Sequence, residues 1–180
     1  LSSEFGCKDR VGNFKKVRIH REKLTTGLRR LDLLLDFDGS YGIGIENKIW
    51  AGDQYMQISD YNKWLKYKYG NNYTLIYLTP YGKTPSEESI MKSEFESLVE
   101  DKKIIVLNYS FDIINLLQIW TEKCRAEKVR QFLKDFQQLI NHNINGNIFM
   151  TEQNTITNYI LEVDGRLKTA IGIFESMNNT

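Results

Sequence analysis

The chain has 180 residues, 41% hydrophobic and 26% charged, with a formal net charge of +1. That is enough chain to bury a core, and the composition excludes a disordered or fibrous protein. No apolar run approaches the roughly 18–20 residues of a membrane span, and the near-neutral charge excludes a wholesale polycation.

The charge is uneven. The first thirty residues hold nine Lys/Arg against three acids, +6, which leaves −5 for the remainder. A basic end of this kind suits either a localised anion-binding surface or a solvated edge strand guarded by its charges. Cys7 and Cys124 lie far apart, and His20 and His142 are the two histidines. No spacing suits a zinc site or a disulfide scaffold. No signal peptide is visible, so a cytoplasmic location and no membrane partner are expected. The chain opens on Leu1 rather than Met, so an N-terminal element is allowed for ahead of it.

Residues 1–13 lack periodicity and read as a loop or the tail of a helix. Residues 14–24 alternate Val17, Ile19 and Arg21 against Arg18, His20 and Glu22, a strand pattern. Thr25-Thr26-Gly27 marks a turn, and 28–37 reads as a second strand. Asp38-Gly39-Ser40 is a hairpin signal, followed by a third strand over 41–49. Residues 53–69 show helical spacing of Tyr55, Ile58, Tyr61, Trp64 and Leu65, with Asp53 as the expected cap and Gly70-Asn71-Asn72 as the stop. Residues 73–79 form a near-continuous apolar strand. A loop covers 80–85, and 86–100 reads as helical or irregular. Another buried strand spans 103–108. Ser110 is the expected cap of a helix over 111–123, a further helix covers 125–142, and 152–176 reads as a final helix. The order predicts an α/β fold with a mixed four- to five-stranded sheet flanked by helices. One domain is expected over 1–180, with a core at about 14–110 and a helical part at about 111–180.

Two strands carry carboxylates inside apolar runs. Asp32 sits in Leu31-Asp32-Leu33-Leu34-Leu35, and Glu46 sits in Ile43-Gly44-Ile45-Glu46-Asn47-Lys48-Ile49. An unpaired buried charge costs several kcal/mol, so Asp32 needs a partner. Alternation puts Glu46 and Lys48 on one face, roughly 6.5–7 Å apart, and Asp32 on the adjacent strand can meet both. Two converging carboxylates suit a hard divalent cation. A neighbouring lysine can orient or deprotonate a water and offset phosphate charge. A plain Glu–Lys ion pair in a sheet is the alternative, and for an isolated E-x-K it is the commoner one. Gly42 and Gly44 form G-x-G without the rest of a nucleotide-binding pattern. Trp50 reads as a lid on the core, with base stacking as the second option. Cys124 has no nearby base and does not read as a nucleophile.

The set Asp32, then Glu46-Asn47-Lys48 across a hairpin, then Gln57 and Tyr61 on one face of the following helix, resembles the PD-(D/E)XK phosphodiesterase superfamily. It looks like the bacterial branch of that superfamily, whose members read D…E-x-K…Q-x-x-x-Y. The resemblance covers residues 15–110 and implies a restriction-endonuclease-like core. It implies that Asp32 and Glu46 bind Mg²⁺ (or Mn²⁺), with the Asn47 carbonyl completing the set, and that Lys48 is the catalytic lysine. Gln57 and Tyr61 match the helix motif, placed to steady the metal site or contact a DNA backbone. Leu31 stands where the family's proline precedes the first Asp. Many members carry a further acid on an upstream helix; Glu4 and Glu22 are the candidates here, and otherwise that helix precedes Leu1.

The first expectation is a metal-dependent nuclease hydrolysing DNA phosphodiesters, double- or single-stranded, with Lys16, Arg18 and Arg30 contacting phosphates. The alternative is a nucleic-acid-binding or protein-interaction domain of the same fold without turnover, against which the intact Asp32, Glu46 and Lys48 set argues. A small-molecule α/β enzyme lacks a cofactor motif. Oligomeric state is left open, a homo-oligomer included.

Overall fold

The computed structural model describes residues 14–146; the loop expected over 1–13 and the helix expected over 152–176 lie outside them. A five-stranded mixed sheet runs in the order β1-β2-β3-β4-β5, with β1 Val17–Leu24, β2 Arg30–Phe37, β3 Tyr41–Asn47, β4 Tyr73–Thr79 and β5 Ile104–Asn108. The first three strands form an antiparallel meander, in which Leu34 faces His20 on one side and Gly44 on the other. Parallel pairing then adds β4 and β5, with Glu46 opposite Tyr77 and Tyr77 opposite Val106. Parallel neighbours need crossovers. These are α1, Gln57–Tyr69, between β3 and β4, and α2, Lys92–Glu100, between β4 and β5. After β5 a π-helical turn, Tyr109–Ile113, leads into α3, Ile114–Lys123, and α4, Glu127–Ile140. This is the expected α/β architecture. Among the described residues no helix is long and apolar enough to cross a membrane.

The chain divides into compact units at Ile140/Asn141. Beyond it the described residues are 141–146, wound mostly into a π-helical turn, Asn141–Asn145.

Glycines decide how close α1 lies to β3. Even-numbered residues of β3 face the helix. A Cβ on Gly42 would sit 2.2 Å from the Tyr69 ring, and one on Gly44 would sit 3.0 Å from both Leu31 and Leu65. The G-x-G of this strand is therefore a packing device. Residues 57, 61, 65 and 69 recur at i, i+4 and lie along one helix face. Leu65 and Tyr69 fill the space over the glycines, which leaves the first turn, Gln57 and Tyr61, over Glu46.

The start of α1 corrects a sequence expectation. The helix begins at Gln57, not Asp53, and Met56 enters it in the left-handed region (φ 56°) without a side-chain cap. Its first buried N–H groups are satisfied by another loop: Ile58 N donates to Ser89 O at 3.1 Å and to Ser89 Oγ at 3.2 Å, and Ser59 N donates to Ser89 O. Asp53 acts one step away. Its carboxylate accepts from the Ser86 N–H and the Tyr77 hydroxyl, each at 2.7 Å, and so holds the 86–89 loop against the helix end. A second correction follows the same logic: Asn108, not Ser110, caps the helical segment after β5, its side chain accepting from Phe111 N and Asp112 N.

A charge pair with a buried acid, Asp36, and an exposed base, Lys68, fixes the far end of β2. Asp36 accepts from the Gly39 N–H at 2.7 Å within the hairpin and from Lys68 Nζ of α1 at 3.3 Å. Burial alone would raise the Asp36 carboxyl; the Gly39 N–H and the Lys68 charge outweigh it, and its pKa lies below the ordinary value. A depressed carboxyl stabilises the fold above its unfolded pKa, and that stability is lost as pH falls through the folded one. Asp36→Asn is therefore expected to melt lower than wild type near neutral pH. The gap should be roughly 1 kcal/mol, or about 2–4 °C, and should close below about pH 4. A gap unchanged from pH 7 to pH 3 would show that the charge is not what stabilises this hairpin.

Candidate active site

A cleft of about 650 Å³ opens beside the end of β3. It is lined by the β1–β2 turn, the ends of β2 and β3, the loop after β3 and the start of α1. Arg30, Asp32, Glu46, Asn47, Lys48, Gln57 and Tyr61 all line it. One wall is thus built from residues close in sequence, and the other is supplied by α1, which the glycines of β3 allow to approach.

Glu46 and Lys48 are both buried. β3 ends at Asn47, yet the Lys48 N–H still donates to Leu78 O of β4 at 2.8 Å, which keeps the two side chains on one face. Lys48 Nζ lies 3.0 Å from Glu46 Oε1. It donates to Gln57 Oε1 at 2.8 Å and to the Gly52 carbonyl at 3.1 Å. An ammonium has three donors, and each has an acceptor here. Gln57 closes the triangle by donating from Nε2 to Glu46 Oε1 at 2.9 Å and to the Tyr61 hydroxyl at 3.1 Å. The Tyr61 hydroxyl donates in turn to Arg30 O at 2.6 Å, tying α1 to the start of β2.

Asp32 is exposed and anchored differently. Its Oδ2 accepts from the Asn47 N–H at 2.8 Å. The sequence pattern would let Lys48 serve Asp32 and Glu46 alike, but the ammonium turns to Glu46 and Gln57 because those acceptors are buried with it. The Asn47 side chain accepts from the Tyr109 hydroxyl. Burial raises the Glu46 carboxyl to about 7, the Lys48 hydrogen bond opposing and the Asp32 charge adding to the rise. Burial, with Glu46 next, also raises the Tyr61 hydroxyl to about 12, so it stays protonated.

Glu46 Oε2 is buried and has no hydrogen-bond partner. An ionised oxygen without a partner in such a place costs several kcal/mol unless a cation or proton completes it. Together with Asp32 in the same cleft, this donor set suits a hard cation that takes one or two carboxylates and keeps its waters. Among the described residues no group of three His, Cys, Asp or Glu side chains converges. Glu22, a candidate further acid, lines the cleft but lies 3.6 Å from Arg30 Nη1 as an exposed ion pair; Glu4 lies outside the described residues.

Two sequence expectations change. Tyr61 is 1% exposed, so a direct contact with a nucleic-acid backbone gives way to a supporting place behind Gln57. Trp50 is exposed and is not a lid on the core. Lys16 and Arg18 are exposed just before and within β1, outside the cleft lining. Sequence reasoning missed Arg29. Its guanidinium donates to Asp60 Oδ2 at 2.6 Å, to Gln54 Oε1 at 3.2 Å and to Tyr55 O, clamping the β1–β2 turn to the loop before α1. Its only signal was membership in the basic N-terminal cluster.

Gln57 is the positioning residue of the group. Gln57→Leu keeps the volume and removes both bridges, leaving Glu46 and Lys48 each short of a partner. Thermal unfolding should show a loss of about 1–3 kcal/mol; unchanged melting would mean that the amide does not hold the pair.

A profile of the PD-(D/E)XK nuclease superfamily matches residues 2–145. Searches of curated proteins and of solved structures found no match to the chain. The profile spans the whole sheet, α1 and the cleft, which is most of the sequence, and it assigns the chain: this protein belongs to the PD-(D/E)XK nuclease superfamily.

Proposed function

We propose that the protein is a divalent-cation-dependent deoxyribonuclease using Mg²⁺ or Mn²⁺. The observation that carries this reading is the buried, unpartnered Glu46 Oε2 in the cleft that also holds Asp32 and Lys48. Asp32 and Glu46 would hold the cation, with the Asn47 carbonyl as a third oxygen. A cation bound there would act as a Lewis acid on charge developing at the phosphate.

The chain's own residues do the rest. Lys48 carries the positive charge that orients the attacking water and offsets the phosphate. Its bond to the Gly52 carbonyl is the longest of its hydrogen bonds and the one from a loop, so it is the bond released when the ammonium turns to substrate. Gln57 keeps Lys48 and Glu46 in register through that change. Lys16, Arg18 and Arg30 supply phosphate contacts that position the strand.

The test is incubation with labelled linear, circular and single-stranded DNA, and with RNA, in Mg²⁺, Mn²⁺ or EDTA. Cleavage of DNA with either cation and none in EDTA is expected. Binding without cleavage of any topology under any cation would instead identify a binding domain that has kept the fold and lost turnover.

A further inference from the structure

Three large apolar side chains stand in water beside the cleft. Leu28 is 81% exposed, Trp50 73% and Tyr55 74%. Single exposed apolar residues are ordinary; these three sit on the two loops that border the cleft. Leu28 lines the cleft itself. Trp50 and Tyr55 lie just outside that lining, on the loop between β3 and α1 from which Lys48, Ala51 and Gln54 line the cleft. Arg29, the residue after Leu28, binds Gln54 Oε1 and the Tyr55 carbonyl, so the two loops that carry the three side chains are fastened to each other. Leu28 is also held at φ 59°, a left-handed conformation that a leucine side chain disfavours. The turn is thus strained at the residue it presents to the cleft.

A rim of this chemistry beside a phosphodiester site has a use. Base faces are apolar and aromatic, and stacking one on a Trp or Tyr strengthens binding whatever the base. In a continuous duplex those faces are already stacked and cannot be offered. The neighbouring β1 strand is basic, with exposed Arg18 and Arg21, which suits the backbone of the same strand of nucleic acid. We infer that the cleft takes unpaired nucleotides, the bases resting on Trp50 with Leu28 and Tyr55 beside it, so that the substrate is single-stranded DNA or a frayed end rather than intact duplex. This rests on the nuclease reading of the cleft.

The experiment is binding without turnover, in EDTA and again in Ca²⁺. The full chain is titrated with a single-stranded 20-mer and with the blunt duplex of the same sequence, by anisotropy. Wild type should prefer the single strand. Trp50→Ala should weaken single-strand binding about tenfold, with little change for duplex and an unchanged salt slope, because the slope counts phosphates. Trp50→Phe should restore most of the affinity, and Tyr55→Ala should give a smaller loss. Preference for duplex, an equal effect of Trp50→Ala on both substrates, or no binding in either condition would overturn the inference. The two readings fail separately. Single-strand binding through Trp50 without cleavage under any cation supports the inference and removes the nuclease. Cation-dependent cleavage of duplex and single strand alike, unaltered in Trp50→Ala, removes the inference and keeps the nuclease.

Discussion

Lys48→Ala is expected to lower DNA cleavage by about 10²–10⁴-fold while leaving DNA affinity within a few-fold. Positioned proton transfer and charge offset of this kind are worth that much in a transition state, and a contact made only there lowers kcat rather than binding. The geometry adds a control. Lys48 Nζ is the ion-pair partner of Glu46 Oε1, so its removal leaves a buried carboxylate short of its cation, which costs stability when one partner alone is taken away. Glu46, already raised to about 7, would then take up a proton more readily, so part of that loss should vanish as pH is lowered. Melting is therefore measured first, at pH 6 and pH 8. Lys48→Met serves beside the alanine variant, since it keeps the stem and removes the charge. A folded variant that cuts at the wild-type rate would exclude Lys48 from the chemistry.

Cation binding should disappear in the Asp32→Asn/Glu46→Gln double variant. In wild type, calorimetry should detect Mg²⁺ or Mn²⁺ binding weakly in the absence of DNA, because two carboxylates and a carbonyl are a sparse set for a cation that gives up its waters reluctantly. The single variants separate ligand loss from fold damage. Asp32 is exposed and accepts one backbone hydrogen bond, which an asparagine oxygen can also accept, so Asp32→Asn should change melting by no more than about 0.5 kcal/mol while removing the cation. Glu46→Gln should remove the cation and also disturb melting, since its oxygen serves both Lys48 and Gln57. Equal binding by wild type and the double variant would refute the assignment of these carboxylates.

The strands, their turns and α1 were legible in the sequence because the signals that make them are local. Alternation in Val17–Leu24, the Asp38-Gly39 hairpin, and the i, i+4 rows of 57–69 closed by Gly70 each act within a few residues. The carboxylates of β2 and β3 were legible for the same reason: a charge inside an apolar strand signals a partner without naming it. The sequence could not show who that partner is. Gln57 bridges Glu46 and Lys48, Ser89 satisfies the start of α1, Asn108 caps what Ser110 was expected to cap, and Gly52 lends its carbonyl to Lys48. The Gln57 and Ser89 bonds join acceptors and donors that the chain brings together only on folding, and the Asn108 and Gly52 bonds, though local, depend on the path the loop takes. The sequence by itself determined the elements, their order and the residue types of the site, because propensity and periodicity are read from neighbours. Only the tertiary structure decided which polar atoms pair, that Tyr61 lies beneath the site and that Trp50 stands outside the core. Burial is a property of the packed sheet and helix together, and it is burial that forces each polar atom to find its partner.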